Sequence, residues 1–222
     1  IACGAMHLLS GIPFLDRWGM PLLIGLLVGL NGCSSTPGKR DPFAGVGSPV
    51  YQGSGPLPKG GGRYMVGKPY RVAGKTYVPR DNPDYSAVGL ASWYGRTFHG
   101  RKTANGEVYD MDGLSGAHPT LPLPSYARVT NLKNGRSIVV RVNDRGPYAP
   151  GRIIDLSTGT AKALGTLGQG LARVRVEYVG RAGLAGSDDT ALLATLRHGT
   201  PAPAPASVRL AARPTVQASQ RD

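Results

Sequence analysis

Asp144 ends a run of alternating apolar residues, Ser137-Ile138-Val139-Val140-Arg141-Val142-Asn143-Asp144, and leads into a turn, Arg145-Gly146-Pro147-Tyr148. At the two-residue period of a strand, Ile138, Val140, Val142 and Asp144 share one face. Three aliphatic side chains on that face predict a buried interior with the carboxyl group at its rim. Partial desolvation there favours the neutral, proton-donating form of a carboxyl group. Asp144 is therefore a candidate catalytic acid. The plain alternative is a turn role, with Asp144 accepting hydrogen bonds from the amides of Gly146 and Tyr148.

A strand that delivers an acid needs a sheet around it. Alternating or β-branched stretches predict strands over 89–94, 126–131, 137–143, 153–156 and 173–179. Asn134-Gly135 between the second and third reads as a primed hairpin turn. In the last strand Val174, Val176 and Tyr178 share one face and Arg173, Arg175 and Glu177 the other, the pattern of a half-buried strand with a mostly basic outside. One helix fits, from Ser157 as N-cap to Leu164, with Gly165 following it; Gly159 weakens its first turn. Several short strands and one short helix between residues 88 and 180 predict a small, closed, mainly all-β barrel.

The flanks read differently. Residues 1–32 contain a short apolar run after Arg17, Met20-Pro21-Leu22-Leu23-Ile24-Gly25-Leu26-Leu27-Val28-Gly29-Leu30, the length of a signal h-region rather than a bilayer span. It ends in Leu30-Asn31-Gly32-Cys33, which resembles the lipobox of bacterial lipoprotein precursors. Lipidation on Cys33 would anchor the chain to a membrane, and Ser34 in place of Asp implies the outer membrane, facing the periplasm. Cys3 leaves with the signal, so no internal disulfide is expected and the core must hold the fold. Residues 33–62 are rich in Gly, Pro and Ser, the composition of a flexible tether. Residues 63–87 read as a β-hairpin extension around Ala73-Gly74. Residues 181–222 read as a low-complexity, disordered tail with one short surface helix within 190–196. The formal charge of +13 predicts an anionic partner. Export makes nucleic acid an unsuitable one and leaves an envelope polymer or a membrane surface.

Four strings stand out in order: Ala91-Ser92-Trp93-Tyr94-Gly95, Phe98-His99-Gly100-Arg101-Lys102-Thr103-Ala104-Asn105-Gly106-Glu107, Ala117-His118-Pro119-Thr120-Leu121-Pro122 and Val142-Asn143-Asp144-Arg145-Gly146-Pro147-Tyr148. Together with Gly151-Arg152-Ile153-Ile154-Asp155-Leu156-Ser157 they resemble the rare lipoprotein A family of septal lytic transglycosylases. That resemblance implies a six-stranded double-psi β-barrel acting on peptidoglycan glycan strands stripped of their stem peptides. It implies an active-site cluster of Glu107, His118 and Asp144. Trp93, Tyr94 and Tyr148 would serve as platforms for sugar faces, with Thr103, Asn143 and Arg145 as further substrate contacts. Septal action would also bring contacts with the division machinery. Many members carry a C-terminal glycan-binding repeat, for which the residues after Gly180 are too few and too rich in Pro and Ala.

The chemistry implied needs neither cofactor nor metal, and His99, His118 and Asp144 lack the close ligand spacing of a zinc site. Asp144 would protonate the glycosidic oxygen between muramic acid and glucosamine, then accept the proton of the muramoyl hydroxymethyl group as its oxygen closes onto the anomeric carbon. His118 would position or polarise the acid by hydrogen bonding, and Glu107 would raise its pKa by like charge. A second carboxylate would permit hydrolysis instead, and Glu107 keeps that route open. Asp155 reads as an interior or helix-capping group. A non-catalytic, expansin-like lipoprotein that grips glycan is the competing class.

Overall fold

Val129 faces Ile138 and Ala127 faces Val140 across the hairpin that Asn134-Gly135 closes, so the strongest local signal in the chain sets the first register. The computed structural model describes residues 47–206 and Val208; the apolar run and Cys33 lie outside them. In chain order the elements are β1 (Tyr70–Val72), β2 (Lys75–Tyr77), β3 (Ser86–Tyr94), β4 (Ser115–Ala117), β5 (Ser125–Asn131), β6 (Arg136–Asp144), β7 (Arg152–Ser157), α1 (Thr158–Leu164), β8 (Ala172–Arg181), α2 (Asp189–Leu193) and β9 (Arg197–His198).

Six strands close on themselves in the order β4-β7-β3-β8-β5-β6, with β6 pairing back onto β4. Two of those pairings, β3 with β7 and β4 with β6, are parallel, and the rest are antiparallel. This is a double-psi barrel, and closure leaves no long open edge. Its interior is filled by Val129, Ile138, Val140, Val142, Ile154, Leu156, Val174 and Val176, all fully buried. Each expected strand is present and one to three residues longer at one or both ends. The strand missing from the sequence reading is β4, whose Ser-Gly-Ala carries no alternation of polarity. Pairing tells why: β4 is wedged between β6 and β7, and all three of its residues are buried.

α1 begins and ends as expected. Ser157 Oγ accepts from Thr160 N (3.1 Å), and Gly165 adopts φ 68°. Gly159 is a poor helix former, but the barrel requires it. A Cβ there would sit 2.2 Å from the carbonyl oxygen of Asp112, while Gly159 N donates to Met111 O (2.9 Å). Gly159→Ala therefore costs stability despite alanine's better helix propensity of about 1 kcal/mol, with a net loss of about 1–3 kcal/mol from overpacking. Urea unfolding midpoints of the two proteins check it.

Both flanks depart from the expected looseness. Residues 47–66 lie along the barrel, held by Tyr51 N to Gly100 O (2.8 Å), Gly61 N to Leu184 O (3.1 Å), Arg63 N to Asn105 O (2.9 Å) and a two-way backbone bridge between Met65 and Leu123. Glycine here permits contact: a Cβ at Gly62 would meet Asn105 Nδ2 at 2.7 Å. The stretch after Gly180, expected to be a disordered tail, is ordered through 206. Asp188 caps α2, Leu192 is buried, β9 pairs with the start of β6, and Ala202 is fully buried, with its N–H on Ser137 Oγ (3.0 Å) and its carbonyl on Arg128 Nε (2.6 Å). The cause is the outer face of β6. Val139 and Arg141 point away from the interior yet are buried, and the 182–206 segment covers them, with Thr195 Oγ1 on Val139 N and Ser187 Oγ on Arg141. Composition alone does not reveal such a fit, because it depends on a niche made by distant residues.

The β1–β2 hairpin forms as expected, with Ala73 at φ 48° and Gly74 at φ 80°. Tyr70 and Tyr77 stack across it at 5.4 Å, and both meet the ring of Tyr148 edge-on.

Candidate active site

Asp144 is the last residue of β6. The register of β6 on β4 slips here: Val142 faces Gly116, but Asp144, two residues on, faces the next residue, Ala117. The strict two-residue period that led to Asp144 therefore ends in a bulge, a device that re-aims a side chain at a barrel rim. Asp144 Oδ1 accepts from the backbone amides of Ala104 (2.8 Å) and Arg145 (2.8 Å), not from Gly146 or Tyr148. Oδ2 makes no hydrogen bond among the described residues. Burial pushes the Asp144 pKa up; the two amides and the Arg145 charge pull it back, and the net direction is upward. Asp144 lines a cleft of about 340 Å³ together with Tyr94, Phe98, Tyr148, Arg152 and Asp155.

Arg145 binds the protein itself. Nη1 donates to the carbonyls of His118 (3.1 Å) and Leu121 (2.6 Å), and Nη2 donates to Val66 O (2.7 Å). These bonds pin three chain segments behind the acid. The expected substrate contact by Arg145 gives way to this bracing role.

Glu107 is 3% exposed and forks with Arg141, whose Nε donates to Oε2 (2.9 Å) and Nη2 to Oε1 (2.6 Å). Asn143 Nδ2 donates to Oε2 (3.0 Å) and Asn105 Nδ2 to Oε1 (2.8 Å). Burial alone would raise the Glu107 pKa, but the bonds from Arg141, Asn143 and Asn105 outweigh it and hold the group below its ordinary value. Glu107 is thus an ionised, fully engaged carboxylate. Its charge is not among the causes that shift Asp144, contrary to the like-charge expectation. It acts by position: it fixes Asn143, the neighbour of Asp144, and the 104–107 loop whose Ala104 amide holds Oδ1. Thr103 Oγ1 braces that loop from within, 2.9 Å from Asn105 Oδ1 and 3.2 Å from Glu107 O, and is buried rather than open to substrate. Asn143 is likewise buried.

The ring of His118 does not reach Asp144. Its Nδ1 accepts from Thr120 N (3.1 Å) and Leu121 N (3.0 Å), so the proton sits on Nε2, which donates to Tyr85 Oη (2.8 Å). Burial, helped by the Arg145 charge, pushes its pKa down to about 3, so it is neutral at physiological pH. What joins His118 to the acid is its backbone: His118 N donates to Asp144 O (3.0 Å). The expected side-chain polarisation is replaced by a main-chain tie.

Tyr94 and Tyr148 border the cleft. The Tyr94 ring stacks on Tyr109 at 4.3 Å. Its hydroxyl is buried and has no hydrogen-bond partner among the described residues. Trp93, next on β3, is 38% exposed and does not line the cleft.

Two charged residues outside the expected site set line it. Asp155 lies on β7, where Ala117 of β4 faces it on one side and faces Asp144 on the other. The two carboxyl-bearing residues are thus two strand spacings apart, about 10 Å along the sheet. Asp155 Oδ1 accepts from Ser92 Oγ (2.5 Å), and its Oδ2 lies 3.6 Å from Arg152 Nη2. Burial raises its pKa, with the Ser92 bond and Arg152 opposing. Of the interior or capping role expected of it, Asp155 takes the interior hydrogen bond, and Ser157 caps the helix as expected. Arg152 is the second. Its side chain makes no hydrogen bond among the described residues, and its Nε is buried without a partner. The twelve residues from Asp144 to Asp155 contain no periodic signal linking the two. Only β4, invisible in the sequence, brings them level.

Residues 86–176, almost the whole barrel, match the family model described as lytic transglycolase. The chain is 58% identical over 125 residues to the endolytic peptidoglycan transglycosylase RlpA of Pseudomonas aeruginosa, covering 56% of this chain and 36% of that protein. It is 55% identical over 111 residues to the RlpA of Neisseria meningitidis, covering 50% and 46%, and 44% identical over 174 residues to that of Vibrio cholerae, covering 74% and 64%.

Residues 86–176 are a lytic transglycolase domain of the kind found in the rare lipoprotein A (RlpA) family.

Among these RlpA relatives the chain spans between 36% and 64% of their own length. The lytic transglycolase match begins at the first residue of β3 and ends at Val176 in β8. It holds Glu107, His118, Asp144, Arg152 and Asp155, while the β1–β2 hairpin and α2 lie outside it. Tyr148 is therefore an RlpA-domain residue whose ring leans on a hairpin beyond the matched segment.

Proposed function

We propose that this chain is a peptidoglycan lytic transglycosylase that cleaves the bond between N-acetylmuramic acid and N-acetylglucosamine and leaves an anhydromuramoyl end. The observation that carries the reading is the state of Asp144: a desolvated carboxyl group at the barrel rim, one oxygen held by two amides, the other without a partner among the described residues, in a side chain bordering an open cleft. The amide bonds fix the group, and burial shifts it toward its protonated form. Asp144 gives that proton to the glycosidic oxygen as the bond to the muramoyl anomeric carbon breaks. The resulting carboxylate takes the proton of the muramoyl 6-hydroxyl as its oxygen bonds to the same carbon. Asp155, level with Asp144, supplies negative charge near the developing oxocarbenium ion when ionised. Burial raises its pKa, and its hydrogen bond from Ser92 and the nearby Arg152 oppose that rise in favour of the ionised form. The names of the curated relatives, endolytic peptidoglycan transglycosylases, support the same reaction.

Incubating the protein with peptide-stripped murein and weighing the soluble products by mass spectrometry tests the proposal. Products ending in anhydromuramic acid support it. Products with an added water would indicate hydrolysis, and glycan retained on the protein without products would favour the expansin-like binder.

The lipobox-like Leu30-Asn31-Gly32-Cys33 supports attachment of the chain through a lipid on Cys33, at the periplasmic face of the outer membrane. No helix among the described residues is long and apolar enough to cross a membrane. Cys33→Ser is expected to abolish incorporation of labelled palmitate and release the protein from the membrane fraction; persistent labelling would refute the anchor. The family's septal setting supports contacts with the division machinery.

A further inference from the structure

Two guanidinium groups border the cleft, and they are in opposite states. Arg145 is held by three backbone carbonyls. Arg152 has no such anchor: none of its side-chain nitrogens makes a hydrogen bond among the described residues, and it meets Asp155 only as an ion pair at 3.6 Å, beyond hydrogen-bond reach. That Asp155 is already bonded to Ser92 through its other oxygen. The Arg152 side chain is 29% exposed and its Nε is covered, so the open part is the η end, facing a cleft that also holds the acid. Guanidinium groups left without acceptors beside a ligand cleft are suited to planar anions, carboxylates above all, which they bind through paired charge-assisted bonds.

The substrate offers one such group. Each muramic acid carries a lactyl ether whose end is a free carboxylate when no stem peptide is attached and a neutral amide when one is. We infer that Arg152 binds this lactyl carboxylate and is the residue through which the cleft selects peptide-free muramoyl units. The inference rests on the proposed glycan-cleaving function and assigns its selectivity to one side chain. An amide carbonyl in the same place accepts a weaker bond and brings no charge, so discrimination follows from the difference between an ionised and a neutral acceptor.

The test uses peptide-free glycan oligosaccharides and the same oligosaccharides with their lactyl carboxylates coupled to methylamine. Wild-type protein is expected to bind and turn over the free acid about ten- to a hundredfold better than the methylamide, the range of a charge-assisted hydrogen bond. In Arg152→Gln that ratio falls to near one, whatever happens to turnover of either substrate alone. Arg152→Lys keeps the charge beside Asp155 but loses the planar fork, and retains only a few-fold preference. Thermal melts of the variants establish that they fold. A glutamine variant that keeps the wild-type ratio, or a wild type with no preference, overturns the assignment. An Arg152 that serves only Asp155 gives a different result, with both substrates slowed equally and the ratio unchanged. Equilibrium binding supplies the same ratio even if neither glycan is cleaved. In that case the transglycosylase reading fails while the carboxylate site is still decided.

Discussion

Asp144→Asn is expected to lower release of anhydromuramoyl products by about two to four orders of magnitude, the usual contribution of a positioned general acid–base group. The fold should survive, because an asparagine Oδ1 still accepts from the Ala104 and Arg145 amides at the same geometry. What is lost is the proton and the place to return it. The pH profile carries a matching sign. With the Asp144 pKa raised by burial, the wild-type rate falls as pH rises through that raised value, because the acid form disappears. Measuring product formation against pH for wild type, and at one pH for the variant with a melt to confirm folding, decides the matter. Near wild-type activity in a folded Asp144→Asn protein would remove Asp144 from the mechanism. Asp155→Asn belongs in the same assay, since Asp155 lines the same cleft; loss there alone would move the acid role across β4.

The second large effect falls on stability. Glu107→Ala leaves the Arg141 guanidinium buried with its carboxylate gone and strands the side-chain amides of Asn143 and Asn105. Removing one partner of a buried ion pair costs about 3–5 kcal/mol, much of a small domain's total stability. Activity is expected to vanish with the fold. The remaining Arg141 bonds to Ser187 Oγ and Gly183 O soften the loss without replacing the charge. Pairing the change with Arg141→Met removes the orphaned charge and recovers part of the lost stability, read as a higher urea midpoint for the double variant than for Glu107→Ala alone. Should Glu107→Ala melt like wild type yet lose activity, Glu107 would have a chemical role that its bonds do not suggest. Acid should weaken the native protein through the same group. A carboxylate whose folded pKa is depressed contributes stability that is fully present above its ordinary value of 4.5 and is lost as pH falls through the folded value.

Much of this was legible in the linear text. Aliphatic alternation in 137–143 and 173–179, the Asn134-Gly135 turn and the Ser157 cap are local properties, set by residues that touch within a few positions. They yielded five of the six barrel strands and the helix. Asp144 was reached the same way, although its final orientation comes from a bulge that alternation does not encode.

Contacts between distant segments were not legible. β4 has three small residues and no polarity pattern, and it forms because β6 and β7 leave a strand-wide slot for it. That slot decides that Asp155 stands level with Asp144. The roles of His118 and Glu107 turn on what their side chains meet: Tyr85 is 33 residues away in sequence from one and Arg141 34 from the other. The Pro-Ala stretch around Ala202 is ordered for the same reason, since its niche is built from β5 and β6. Periodicity and turn chemistry are carried by neighbouring residues, so the chain alone determined its strands, its helix and one acid at a rim. Partners for buried polar groups are chosen by closure of the barrel, so only the tertiary structure decided which residues face the cleft and which hold it together.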